Sequence, residues 1–360
     1  ENPLYSCYAY GNQVRAQYLE KLISFCGEPF RKAFLLSSGT EATDAALKLM
    51  RMNGQKTGKR RSGIICIENN WHGRTLGAQM MSSNLNQRAW IGYQDADIHH
   101  IPFPYPWQLG DQSGMDFLMH GLESLAAKGI DIENDISGFM LESFQGWGAI
   151  FYPKDFVNTI EKICKKNDIL LTFDEMQAGF GRTGRNFGFQ HYDAKPDLIC
   201  VGKGMGGGVA LSGVIGREDV MDLPEIGNMS STHSANPLVC AAGLAVLHEL
   251  ESRDLVNDAH RKGGILRSGL EKIQQRFSKR IPWILGEGMI MAMLFQDPGT
   301  EEADGQFTSR VAERCMQKGL LVVHTGRESI KIGPPLTISD GALIEGLAVL
   351  CESIEEVAAE

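Results

Sequence analysis

Positive charge is in short supply in this chain: 35 Lys and Arg stand against 44 Asp and Glu, a formal net charge of −9. Binding a phosphodiester backbone needs concentrated cationic side chains, so nucleic acid is excluded as the partner class. The one basic cluster, Lys56-Thr57-Gly58-Lys59-Arg60-Arg61, falls between a helical stretch and a strand and reads as a solvated loop. No apolar run is long enough to span a bilayer, and no signal peptide opens the sequence. The eight cysteines are scattered without a Cys-x-x-Cys pair. Several sit in apolar runs, as in Ile64-Ile65-Cys66-Ile67 and Leu198-Ile199-Cys200-Val201. They read as small buried hydrophobes in a reducing compartment, not as a disulfide framework or zinc site. A cytoplasmic protein is the expectation. The sequence begins at Glu1 without Met, so a leading segment is expected to be missing.

What is present is ordinary globular material: 43% hydrophobic and 22% charged residues over 360 positions, enough for more than one domain. The middle of the chain alternates short apolar runs with amphipathic ones, the pattern of a mostly parallel sheet covered by helices. Strands are expected at 63–67, 138–142, 169–173, 197–201 and 212–215, and helices at 40–52, 153–166 and 237–253. A long helical pattern comes next at 255–277, then short strands at 289–295, 320–323 and 329–332, and a final helix at 340–358. This gives an α/β fold in three parts: a peripheral, mostly helical segment 1–30, a large domain 31–252 and a smaller C-terminal α+β domain 253–360.

Four segments carry chemistry. In Asp197-Leu-Ile-Cys-Val-Gly202-Lys203-Gly204-Met205-Gly206-Gly207-Gly208, a strand runs straight into a lysine flanked by glycines. Gly202–Gly207 and Gly179–Gly184 both match G-x-G-x-x-G, but that dinucleotide fingerprint must open a helix, and the residues after Gly208 read as another strand. A lysine at a strand end, with its neighbours stripped of side chains, is a candidate imine former; a solvated loop lysine is the plain alternative. In Ile169-Leu-Leu-Thr-Phe-Asp174-Glu175-Met176-Gln177, a buried strand ends in two carboxylates. Such charges need a partner: a ring nitrogen to keep protonated, a metal, or merely a turn to cap. Ser37-Ser38-Gly39-Thr40-Glu41 enters a helix and offers free backbone N–H groups, either to a phosphate or as an ordinary cap. Trp71-His72-Gly73-Arg74-Thr75 comes after a strand, where the indole can lie on a planar ring or simply fill the sheet edge.

Together these segments resemble one family, the class III (fold type I, ω-amino-acid type) pyridoxal-phosphate aminotransferases. Ser38-Gly39-Thr40-Glu41-Ala42, Trp71-His72-Gly73-Arg74-Thr75-Leu76-Gly77, Phe173-Asp174-Glu175-Met176-Gln177-Ala178-Gly179-Phe180-Gly181-Arg182-Thr183-Gly184 and Gly202-Lys203-Gly204-Met205-Gly206-Gly207-Gly208 stand in that family's order. Thr232-His233-Ser234-Ala235-Asn236-Pro237-Leu238 and Gly333-Pro334-Pro335-Leu336-Thr337 match it further on. The resemblance implies pyridoxal 5′-phosphate bonded to Lys203 as an imine, with Lys203 then shuttling the substrate proton. It implies Asp174 on the pyridinium nitrogen, Gln177 near the phenolic oxygen, and Ser38, Gly39 and Thr40 at the phosphate. Trp71, followed by His72, would stack on the ring, and Glu142 matches the family's glutamate on the strand beside the site. Thr232 would reach the phosphate of a partner subunit in a homodimer. The implied reaction is ping-pong transfer of an amino group from a donor amine to a carbonyl acceptor. An aminomutase, decarboxylase or epimerase on the same fold is the nearer rival, and an NAD-dependent dehydrogenase the more distant one.

The sequence also departs from the family. Many members read Glu-Pro-x-Gln-Gly-Glu-Gly-Gly where this chain has Glu142-Ser143-Phe144-Gln145-Gly146-Trp147-Gly148-Ala149. In those members the second glutamate pairs with an arginine shortly before Pro-Pro-Leu, which grips the α-carboxylate of glutamate as donor. Here Trp147 and Lys331 stand at those two positions, and lysine lacks the fork that fits a carboxylate. One half-reaction is therefore expected to take a bulky ring substrate without an α-carboxylate, a sugar or aminocyclitol carbonyl. The alternative is that Trp147 fills space and another residue reads the carboxylate. Thr43, where asparagine is usual, is a minor departure. The family usually carries a segment before the position of residue 1 that shapes pocket and interface, and this sequence does not include it.

Overall fold

The structure, a computed structural model, describes residues 10–56 and 61–360. Most of the expected basic loop, and Cys7, lie outside the described residues. Two compact units are present: one comprises Glu1–Phe144, Tyr152–Phe180 and Phe187–Glu249, the other Gln145–Phe151, Gly181–Asn186 and Leu250–Glu360.

The larger unit is built on seven strands: β1 Lys32–Leu36, β2 Gly63–Ile67, β3 Ile98–Ile101, β4 Ile136–Glu142, β5 Leu170–Asp174, β6 Leu198–Val201 and β7 Ser212–Gly216. Their order is β1-β7-β6-β5-β4-β2-β3. β3, β2, β4, β5 and β6 pair in parallel, while β7 runs antiparallel to both β6 and β1. Strands β2, β4, β5, β6 and β7 are buried along their whole length, which explains their unbroken apolar runs. Helix Gly39–Lys56 lays Ala42, Ala45, Ala46, Leu49 and Met50 against Ile64, Cys66, Met140, Cys200 and Val214. Spacing of i, i+3, i+4, i+7 and i+8 puts these on one face, and the alanines let helix and sheet approach closely. A Cβ on Gly138 would come within 2.2 Å of the Met50 sulfur, so this contact has no slack. Helix Lys154–Asn167 buries Phe156, Val157, Ile160 and Cys164, and ends at Asp168 in the left-handed conformation (φ 52°) with Lys165 and Lys166 in its last turn.

The smaller unit holds an antiparallel sheet of order β10-β11-β9-β8, with β8 Trp283–Glu287, β9 Ile290–Leu294, β10 Val323–His324 and β11 Ser329–Ile332. Leu266, Leu270 and Ile273 of helix Leu255–Arg276 join Met291 and Met293 of β9, Ile330 of β11, Phe307 and Val311 of helix Gly305–Gln317 and Leu350 and Ile354 of helix Asp340–Ala359 in one core. The expected fold class holds: a mostly parallel central sheet, and a smaller sheet packed with helices. Neither glycine run opens a dinucleotide-type helix. Lys203–Gly206 is a single 3₁₀ turn leading to β7, and the stretch 176–187 is a succession of turns. Among the described residues no helix is long and apolar enough to cross a membrane.

Candidate active site

Parallel pairing fixes where chemistry gathers, because β4, β5 and β6 all end at the same edge of the sheet. The register sets Glu142 beside Asp174, and Asp174 beside Cys200, three residues before Lys203. β1 is antiparallel to β7, which is antiparallel to β6. Two reversals restore the direction of β6, so β1 also ends at this edge and the N-terminus of helix Gly39–Lys56 opens there. A cavity of about 340 Å³ results, lined by Lys203, Asp174, Glu142, Gln177, the Ser38–Thr40 turn and the Trp71–Arg74 turn.

Lys203 is exposed to this cavity and holds a left-handed backbone (φ 44°) between Gly202 and Gly204. An L-residue there is strained by roughly 1–2 kcal/mol, the kind of cost that collects at functional positions. Asp174 is 5% exposed and each of its oxygens is engaged: Oδ2 with His72 Nδ1 at 2.8 Å, Oδ1 by the Met176 N–H at 3.0 Å. Thr40 Oγ1 accepts from the backbone N–H groups of Arg74 (3.1 Å) and Thr75 (3.0 Å), tying the two turns together. Gly73 makes this possible. Its φ is 139°, and a Cβ would stand 2.3 Å from Thr40 Oγ1. The Ser38 hydroxyl donates to Glu41 Oε2 at 3.0 Å, and the Trp71 N–H to Glu142 Oε2 at 3.3 Å.

Of the residues singled out from sequence, the cavity collects Ser38, Gly39, Thr40, Trp71, His72, Glu142, Asp174, Gln177 and Lys203. Thr232 does not line it and stands exposed ahead of helix Pro237–Ser252. Trp147 and Lys331 belong to the smaller unit. There Lys331 Nζ donates to the Gly146 carbonyl at 2.6 Å, Trp147 Nε1 donates to Gln145 Oε1 at 2.8 Å, and the Arg327 guanidinium lies 3.8 Å from the Trp147 ring centroid. Sequence reasoning misses two arginines. Arg327 carries no signal, since its contact comes from far along the chain. Arg74, whose guanidinium sits 4.6 Å over the Trp71 ring, lines the cavity and is visible in the sequence as the one cation in the Trp-His-Gly-Arg turn.

Glu175, next to Asp174 but turned away from the cavity lining, is fully buried. It accepts from Ser143 Oγ and from the N–H groups of Gly188 (2.7 Å) and Phe189 (2.8 Å). Burial pushes its carboxyl up to about 7 even though these donors pull it down. A carboxyl raised in the folded state binds its proton more tightly there than in the unfolded chain. Its contribution is therefore favourable below the ordinary carboxylate value and is lost as pH rises through about 7. Between pH 5 and 8 this one group withdraws about 3 kcal/mol of stability as pH rises, against the opposite trend from His100, which burial lowers to about 4. The melting temperature of the wild type minus that of E175Q should therefore fall across the same window in a pH series of melting curves.

Comparison with known proteins agrees with this geometry. Residues 3–354 match the sequence model of the family described as Aminotransferase class-III. The acetylornithine aminotransferase of Caldanaerobacter subterraneus subsp. tengcongensis is 31% identical over 328 residues, 91% of this chain and 76% of that protein. A probable 4-aminobutyrate aminotransferase of Bacillus subtilis is 32% identical over 349 residues, covering 92% and 78%. Among solved structures, the taurine:2-oxoglutarate aminotransferase of Bifidobacterium kashiwanohense, in complex with PLP and glutamate, superposes with a TM-score of 0.90. That likeness covers 100% of this chain and 83% of the other at 24% identity, and it shows the fold, fold type I. Class III aminotransferases depend on pyridoxal phosphate, and the donor set suits that group: an amine, a buried carboxylate, an aromatic face and a helix N-terminus around one cavity. With the match running over nearly its whole length, the chain belongs to the class III aminotransferase family and is a pyridoxal-phosphate-dependent aminotransferase.

Proposed function

We propose that the enzyme carries out ping-pong transamination at the Lys203–Asp174 cavity, with an amino donor whose carboxylate is read by Arg74. When bound, pyridoxal phosphate supplies a sink for the electron pair released as the substrate carbon gives up its proton. Lys203 Nζ would hold the cofactor and, once the incoming donor amine displaces it, would be free to carry that proton from the substrate carbon to the cofactor. Asp174 would keep the ring nitrogen protonated, Trp71 and His72 would lie at the ring, and Gln177 and Glu142 would flank it, all of them lining the same cavity. Ser38, Gly39 and Thr40 would hold the phosphate at the start of helix Gly39–Lys56, where backbone N–H groups and the helix dipole favour an anion. The observation that carries this reading is that amine and carboxylate face one cavity, with the lysine backbone held in a left-handed conformation. Borohydride treatment of the loaded enzyme, followed by mass mapping, should fix the cofactor on Lys203; a label on any other lysine would overturn the assignment.

Arg74 supports the donor assignment because its guanidinium is braced by the Trp71 ring, in the same cavity as Lys203. A charge-assisted hydrogen bond contributes about 1.5–3 kcal/mol. R74A should therefore raise KM for a carboxylate-bearing donor about 10- to 100-fold, with little change for an amine that lacks a carboxylate, such as 1-phenylethylamine. Equal losses for both would count against it.

A second reading concerns the acceptor, a sugar or aminocyclitol carbonyl, and it is favoured by Trp147 and Lys331 replacing a Glu/Arg pair. Lys331 engages the Gly146 carbonyl, and a lysine offers no bidentate fork to an α-carboxylate. Kinetics with α-keto acids and oxidised sugars test it; turnover confined to α-keto acids removes the sugar. Thr232, exposed in its turn, supports a homodimer in which each subunit completes its neighbour's phosphate site. Seven free cysteines among the described residues support a reducing, cytoplasmic setting.

A further inference from the structure

We infer that Asn70 is a positioning residue for this site: its side-chain amide fixes His72 as the neutral tautomer with the proton on Nδ1, so that Asp174 meets a hydrogen-bond donor and not a second cation. Asn70, His72 and Asp174 form a buried row, 4%, 3% and 5% exposed. Asn70 Nδ2 lies 2.6 Å from His72 Nε2, and His72 Nδ1 lies 2.8 Å from Asp174 Oδ2. An amide nitrogen donates and does not accept, so Nε2 must present its lone pair. The single remaining ring proton then sits on Nδ1 and is donated to the carboxylate. The main chain that carries the ring is anchored, since the His72 N–H donates to Ser82 Oγ at 2.8 Å and its carbonyl accepts from Thr43 Oγ1 at 2.8 Å, and the side chain itself is buried.

Two further observations bear on this. Asn70 Oδ1 is buried with no hydrogen-bond partner among the described residues. An amide placed only for stability would satisfy both ends; this one leaves its oxygen unpaired and spends its nitrogen on His72. The neighbouring His100 donates to or accepts from nothing in the row: its Nε2 meets the Met81 carbonyl at 2.9 Å, and burial lowers its imidazole to about 4, so it brings no charge near neutral pH. Asp174 therefore carries its negative charge against two neutral donors, His72 Nδ1–H and the Met176 N–H, with lone pairs left over. An imidazolium at position 72 would neutralise that charge and weaken its hold on a ring-nitrogen proton.

This inference rests on Asp174 facing the ring nitrogen, and the two fail differently. In protein labelled with ¹⁵N-histidine, the His72 ring should show a protonated Nδ1 and a bare Nε2, with or without pyridoxal phosphate; a doubly protonated ring at pH 7 overturns the inference. Asn70→Asp replaces the donor with a second carboxylate and should convert His72 to the doubly protonated form. Asn70→Leu removes the donor without adding charge. Cofactor release should be at least fivefold faster in N70D than in N70L, and kcat should fall further than KM rises. Equal release from the two variants means that the side chain only fills space, and the inference falls. Failure of the underlying reading shows elsewhere, as D174N retaining wild-type cofactor affinity and turnover.

Discussion

Replacing Lys203 with alanine is expected to lower kcat by about 10,000-fold while leaving a folded protein that still binds pyridoxal phosphate, now without a covalent link. The size comes from the two tasks given to one amine. Positioned proton transfer contributes up to about four orders of magnitude, and Lys203 Nζ is the amine that faces the cavity beside Asp174. The fold should survive because the side chain is exposed and the backbone conformation is held by its neighbours: Gly202 and Gly204 flank it, and the Met205 N–H donates to the Gly202 carbonyl at 3.0 Å. Alanine will feel the same left-handed strain as lysine, so the melting temperature should move little. Added small amines should recover part of the lost turnover in proportion to their basicity. K203A retaining a tenth of wild-type kcat, or losing activity without amine rescue, would remove Lys203 from the reaction.

So much of this site is legible in the sequence because of where its residues lie. Asp174 ends β5, and Lys203 comes two positions after β6. The buried strands announce themselves as apolar runs, so their exits are easy to find, and a charge at such an exit stands out. The apolar pattern gives β2 to the residue, and β4 to β7 within two residues at either end. β1 and β3 escape it. Lys32–Leu36 is half-buried at the sheet edge, and Ile98–Ile101 carries two histidines in four residues, so neither shows a clean period. β8 is missed for the same reason, since Trp283, Ile284 and Leu285 are only partly buried. Contacts between segments far apart in sequence are the hardest to see. His72 on Asp174 spans 102 positions and Arg327 on Trp147 spans 180, and no local pattern encodes either. The Asn70 contact is local, two residues from His72, yet it has no meaning until His72 is seen to touch the carboxylate.

Replacing Asp174 with alanine should cost about 1,000-fold in kcat/KM and raise the dissociation constant for pyridoxal phosphate, because two stabilising arrangements are lost together. The first is the acid–base pair proposed with the ring nitrogen. The second is internal: His72 Nδ1 and the Met176 N–H lose their acceptor at a position where His72 and Asp174 are both buried. Removing one partner of a buried charged pair typically costs 3–5 kcal/mol, which converts to roughly 150- to 5,000-fold in an equilibrium constant. Part of that falls on folding and part on cofactor binding, so D174A should melt lower than wild type, unlike K203A. The two roles of Asp174 are separable by chemistry. A cofactor analogue methylated on its ring nitrogen carries a permanent positive charge and needs no carboxylate to keep it. It should recover turnover in D174A by at least tenfold while doing nothing for K203A. If it rescues neither variant, Asp174 acts only through the packing of His72 and Met176, and the charge on the ring nitrogen must be kept by another group.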